Sequence, residues 1–342
     1  MRRIIAAAPR WRVRGRLTAR SHAIRGGVIL TALALSAFAA APPAAPAPRV
    51  KLQDVAARCG FPAPREVDQT VILQNARNTL VFGTDSRKLT FDKLLIWLNG
   101  PLSKVGTDWT LATCDADIVE ALVRPELTVR GMNVSLVMLD PGHGGPDTGA
   151  LGSQRVSESK LVLDIARRAQ KKLSKAGVNV RLTRPKDRAM PLTDRTLSAL
   201  KAGADLYISI HLNSSASPTA CGIEAYVMPA PGFASTTGNT TDPVTYPGNS
   251  YDFSNMILAS SLQRELVARA GCVDRGVKRA RFEVLKDAPC PAVLLECGFL
   301  SNHVEEDKVT QRQHRDTLAE AIAQGVLTFI GKTRPSPLSA KP

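Results

Sequence analysis

The stretch Leu136-Val137-Met138-Leu139-Asp140-Pro141-Gly142-His143-Gly144-Gly145 decides how the rest of the chain is read. Four consecutive apolar residues followed by proline and glycines predict a strand buried on both faces that opens into a tight loop. Two later runs end in the same manner, Leu206-Tyr207-Ile208-Ser209-Ile210-His211 and Ala292-Val293-Leu294-Leu295-Glu296. After the first run, Ser157-Glu158 starts a stretch in which Leu161, Ile165, Ala169, Lys172 and Leu173 recur at helical spacing, and Gly177 stands where a terminating glycine belongs. Alternating strands and helices predict an α/β fold, a mostly parallel open sheet with helices on both faces, preceded by a small α+β domain. Ligands of such sheets bind beyond the carboxyl ends of the strands. His143, His211 and Glu296 stand at three of those ends, and Glu158 opens the intervening helix. Two imidazoles and two carboxylates gathered there would make a zinc hydrolase, with three ligands, one open coordination position and one acid/base.

Outward from this centre, residues 178–182 predict a strand, and Thr193 is placed to cap a helix that runs to Ala202. Residues 222–228 predict a strand at the edge of the sheet. Residues 229–250, rich in Gly, Pro, Thr and Asn, predict a long surface loop. Helices are expected over 255–270, ended by Gly271, and over 313–329, with Asn302 as the cap of the helix that follows the Glu296 strand. In the amino-terminal half, 51–60 predicts a short helix, and 70–74, 79–83, 88–91 and 94–98 predict short strands. Asp115 or Asp117 is placed to cap a helix through Val123.

The boundaries that follow are 1–41 for an export signal, 42–49 for a Pro/Ala linker, 50–128 for the small α+β domain, 134–331 for the site-bearing domain and 332–342 for a polar tail. Residues 1–41 contain eight arginines and no acidic residue. Their apolar run, 28–41, is short for a membrane span, and Ala37-Phe38-Ala39 is a small-x-small cleavage pattern. A retained anchor is the competing reading. With the eight arginines removed, the formal charge of +15 falls to +7, and aromatic residues are only 5% of the chain. Nucleic acid is therefore not an expected partner, since stacking platforms are missing. Export permits disulfides among the six cysteines. If bridges stay within domains, Cys59 pairs with Cys114, and Cys221, Cys272, Cys290 and Cys297 have three connectivities. Free buried thiols are the alternative for Cys290 and Cys297.

Each site residue also has a plainer reading. His143 could be a histidine hydrogen-bonded in its turn, and His211 a satisfied histidine at the rim of the core. Glu158 could simply complement the helix dipole. Glu296 could be paired with Arg275 or Arg281. Yet a carboxylate directly after Val293-Leu294-Leu295 is costly unless it faces a site, and partial burial would raise its pKa toward the range useful for proton transfer.

The motifs Leu139 to Gly145, Glu158, Ser209-Ile210-His211-Leu212-Asn213-Ser214, Arg275-Gly276-Val277-Lys278 and Pro291 to Asn302, in this order, resemble the zinc-dependent N-acetylmuramoyl-L-alanine amidases of type 3. The resemblance covers about residues 134–331. It implies that His143, Glu158 and His211 bind one Zn²⁺ and that Glu296 is the catalytic carboxylate. It implies peptidoglycan as substrate, cut at the amide between the lactyl group of N-acetylmuramic acid and L-alanine. The export signal of residues 1–41 predicts a location in the periplasm or cell envelope, with no stable membrane span after signal removal. Some relatives are released from a blocking helix by a protein activator, and the composition of 229–250 argues against such a helix here. The competing functions are a zinc peptidase acting on stem peptides and a non-catalytic wall-binding protein.

Overall fold

Leu136–Pro141 is a strand with all six residues buried, the condition expected of an interior parallel strand. The structure, a computed structural model, describes residues 47–333. The expected export signal, most of the linker and most of the tail lie outside the described residues. In chain order the elements are β1 (Arg49–Lys51), α1 (Leu52–Cys59), β2 (Arg65–Val67), β3 (Thr70–Gln74), β4 (Thr79–Gly83), β5 (Lys88–Phe91), β6 (Leu94–Trp97), β7 (Ser103–Val105), β8 (Asp108–Ala112), α2 (Thr113–Val123) and α3 (Pro125–Thr128). There follow β9 (Leu136–Pro141), α4 (Glu158–Lys175), β10 (Asn179–Leu182), α5 (Leu192–Ala202), β11 (Leu206–Asn213), β12 (Ile223–Val227), α6 (Asp252–Ala270), β13 (Asp274–Arg279), α7 (Glu283–Lys286), β14 (Ala292–Phe299), α8 (His303–Thr310) and α9 (Arg312–Thr333).

The main sheet has the order β10-β9-β11-β14-β12-β13-β6-β5-β4-β3-β2. Strands β10, β9, β11 and β14 run parallel. Strand β12 is antiparallel to β14 and parallel to β13, and β13 meets β6 at Val277↔Ile96. The strands of residues 65–97 are thus continuous with the sheet that bears the site. The two-residue period of a strand sorts side chains onto opposite faces. Val137, Leu139, Ile208, Ile210, Val293 and Leu295 pack in one core with helices α4, α6 and α9. Met138, Tyr207 and Leu294 pack in the other, with Ala199 of α5 and Val284 and Leu285 of α7. The same parity carries Asp140, Ser209, His211 and Glu296 toward that second face, beyond its apolar part.

Several expectations are corrected. Strand β12 lies between β14 and β13 and is not an edge, because the charged segment Asp274–Arg279 forms a strand beside it. Helix α5 begins at Leu192 after Pro191 and has no side-chain cap, so Thr193 lies inside its first turn. Helix α2 begins at Thr113, which puts Asp115 and Asp117 within the helix. The buried Asp115 carboxylate instead accepts from Asn99 N (2.8 Å), Asn99 Nδ2 (2.9 Å) and Gly100 N (2.8 Å). All six cysteines are free thiols, and Cys59 and Cys114 do not pair. Asn302 does cap α8, its side chain accepting from Val304 N and Glu305 N. The stretch 229–250 has no helix before the short 3-10 turn Pro247–Tyr251. No helix among the described residues is long and apolar enough to cross a membrane.

Asp252, the first residue of α6, yields a pH test of the fold. Burial pushes its carboxyl up from 3.8 to about 6, against the pull of Arg279 and of the Asn249 amide at 3.3 Å. The folded state therefore holds the proton more tightly, and stability falls as pH rises from 3.8 to about 6 and stays reduced above. Asp252→Asn keeps the acceptor for Asn249 and is expected to raise Tm at neutral pH, with the gain shrinking as pH falls toward 3.8. A gain independent of pH in thermal melts would rule out this origin.

Candidate metal centre

The β9–α4 loop brings His143 and Glu158 to the same place because its glycines leave room. A Cβ on Gly142 would collide with the His211 ring, and one on Gly149, at φ +65°, would collide with the Glu158 carboxylate and the His143 ring. His143 itself sits in the left-handed region at φ +59°. Two buried arginines tie this loop down. Arg184 donates to Pro141 O (2.8 Å), Gly142 O (2.7 Å) and Ser159 O (2.8 Å). Arg195 donates to Asp140 Oδ1 (2.8 Å), Pro141 O (2.9 Å) and His143 O (2.8 Å). Carbonyls on both sides of the histidine are thus fixed, as is the first turn of α4.

His143 Nε2 lies 3.2 Å and His211 Nδ1 2.9 Å from the same atom, Glu158 Oε1. One donor atom from each residue falls within 4.8 Å of the other two, and this is the sole such group of three or more among the described residues. Glu158 also accepts from Ala150 N (2.8 Å) and Leu212 N (3.1 Å). Burial opposes its charge, but hydrogen bonds from His143 and His211 outweigh burial and hold the carboxyl below its usual range. The nitrogens facing away are engaged as well: His143 Nδ1 with Asp147 Oδ2 at 2.9 Å, and His211 Nε2 with Ser209 Oγ at 3.2 Å. Such outward bonds are the usual support of metal-binding imidazoles.

Glu296 is the register partner of His211 on the adjacent parallel strand. Its Oε2 is shielded from solvent and has no hydrogen-bond partner. Burial, reinforced by the carboxylates of Glu158 and Glu224, pushes its carboxyl well above the ordinary glutamate value. The proposed ion pairs with arginine are absent: Arg275 binds Glu224, and Arg281 lies 3.6 Å from Asp242. Glu224, opposite Glu296 across the antiparallel pairing, also takes Lys278 Nζ at 2.6 Å, the Tyr226 hydroxyl, and Asn213 Nδ2 at 3.3 Å. Asn213 therefore supports Glu224 and not the histidines.

Arg184, Arg195, Asp140, Ser209 and Glu224 escape a reading of the sequence for site residues. The signal that could reveal them is a polar or charged residue inside a run otherwise fit for the core, as in Ile208-Ser209-Ile210. Such a residue needs a buried partner.

Two imidazoles and a carboxylate on the carboxyl rim of an α/β sheet, beside an unpartnered carboxyl, are the parts of a single-metal hydrolase. The protein family described as N-acetylmuramoyl-L-alanine amidase matches residues 137–328. The N-acetylmuramoyl-L-alanine amidase AmiA of Salmonella typhimurium is 33% identical over 219 residues, covering 57% of this chain and 76% of its own. LytC of Bacillus subtilis, an enzyme of the same name, is 34% identical over 194 residues, 56% of this chain but only 35% of LytC, so this chain spans about a third of that relative. Among solved structures, the N-acetylmuramoyl-L-alanine amidase of Clostridium difficile 630 superposes with a TM-score of 0.50 at 35% identity, covering 58% of this chain and 98% of that one. The chain belongs to the N-acetylmuramoyl-L-alanine amidase family, and its enzyme class is that of an amidase.

Proposed function

We propose that the protein is an exported, zinc-dependent hydrolase of peptidoglycan that cuts the amide between the lactyl group of N-acetylmuramic acid and L-alanine. The observation that supports this most directly is the convergence of His143 Nε2 and His211 Nδ1 on Glu158 Oε1 beside the unpartnered Glu296. The donor set fits zinc: two imidazoles and one carboxylate leave a fourth position open. Zinc bound there supplies Lewis acidity, which polarises the amide carbonyl and acidifies water. Glu296 takes a proton from the attacking water as its oxygen adds to the carbonyl carbon. The same carboxyl then delivers that proton to the alanine nitrogen as the C–N bond breaks. Its burial, which raises its affinity for a proton, suits a group that must hold the proton between the two transfers. Glu224, saturated by Lys278, Arg275 and Tyr226, stays charged and serves as a fixed neighbour. Export rests on the arginine-rich start and apolar run of residues 1–41.

Purified sacculi test the reading. The expected products are glycan bearing free lactyl groups together with intact stem peptides, and a chelator should abolish them until zinc is restored. Shortened stem peptides would mean a peptidase, and binding to sacculi without release of either product would mean a wall-binding protein.

A further inference from the structure

We infer that Ser209 and Asp140 are positioning residues that fix the tautomer of His211 so that Nδ1 presents its lone pair to the metal. This rests on the metal reading above and extends it to side chains beneath the site. Asp140 is fully buried and receives four donors: Thr183 Oγ1 (2.5 Å), Arg195 NH1 (2.8 Å), the Tyr207 hydroxyl (2.6 Å) and Ser209 Oγ (2.9 Å). With the Arg195 guanidinium against it, Asp140 is a carboxylate, which can only accept. The Ser209 proton is therefore committed to Asp140 Oδ2. That leaves Ser209 Oγ able only to accept from His211 Nε2, 3.2 Å away. Nε2 must carry a ring hydrogen, and Nδ1, which donates to Glu158 Oε1 at 2.9 Å in the metal-free protein, is the atom that would bind the metal on giving up that proton. His143 has the opposite arrangement. Its Nδ1 faces Asp147, an exposed carboxylate, and its Nε2 faces Glu158. One histidine is thus oriented from solvent and the other from the core. The core chain is anchored by the buried ion pair of Asp140 with Arg195, and strand parity alone puts residues 140, 209 and 211 on one face.

The test compares Ser209→Ala and Ser209→Thr with the parent, each as the full exported chain stripped of metal and titrated with zinc against a chromogenic chelator. Ser209→Ala is expected to weaken zinc binding by about 10- to 100-fold, and to shift the visible bands of the cobalt-substituted protein. Ser209→Thr, which keeps the hydroxyl, should restore both. The Tm of the metal-free proteins reports any separate packing defect. Zinc affinity of Ser209→Ala within twofold of the parent would overturn the inference, and so would equal weakening in both variants. A parent that fails to take up zinc would remove the metal reading itself, a result distinct from either.

Discussion

Glu296→Gln is expected to lower turnover by about 10²- to 10⁴-fold, the usual worth of a positioned acid/base. Zinc content should be unchanged, because Glu296 is outside the group of His143, Glu158 and His211. Glutamine has nearly the same shape but cannot take a proton from water. Stability should not fall with activity. The replaced carboxyl has an oxygen without a partner and sits near two other carboxylates, so a neutral amide removes an unfavourable burial. The expected result is an inactive protein that binds zinc and melts at or above the parent temperature. Release of lactyl glycan within tenfold of the parent rate would take Glu296 out of the reaction.

Arg195→Met should have the largest effect on folding, about 3–5 kcal/mol, the cost of leaving one member of a buried ion pair alone. The arginine is the charged partner of fully buried Asp140 at 2.8 Å and also holds the carbonyls of Pro141 and His143. Methionine fills part of the volume but leaves the carboxylate with hydroxyl donors only. Urea unfolding measures the loss. Adding Asp140→Asn should recover part of it, since the stranded charge is then gone. A loss below about 1 kcal/mol would mean that the ion pair contributes no more than a surface one.

Much of the α/β frame was legible because it is written in almost wholly apolar runs. Leu136–Leu139, Leu206–Ile210 and Ala292–Leu295 have no other stable place than inside a sheet covered on both sides, and His143, His211 and Glu296 stand out because each ends such a run. Strand β13 was illegible for the converse reason. Asp-Arg-Gly-Val-Lys-Arg has the composition of a loop, yet Lys278 and Arg279 are buried. The compensation comes from far away in sequence: Glu224 for Lys278, and the carbonyls of Trp97 and Met228 for Arg279. Without β13, β12 looks like an edge. Caps divide in the same way. Asn302 was legible since its partners are the amides two and three residues further on, whereas Asp115 was drawn to Asn99 and Gly100 by tertiary contacts that local preference does not record. Arg184 and Arg195 bind mainly backbone carbonyls, which leave no pattern in side-chain spelling.

The junction of β6 with β13 means that the amino-terminal strands act as a gasket for the catalytic half. Cutting the chain between residues 97 and 136 would strip β13 of its neighbour, baring a row of amides and carbonyls and removing the Trp97 carbonyl from Arg279. Bare flanks of this kind recruit other chains. Fragments meant to isolate the enzyme should therefore keep the first strands, whatever else those strands do.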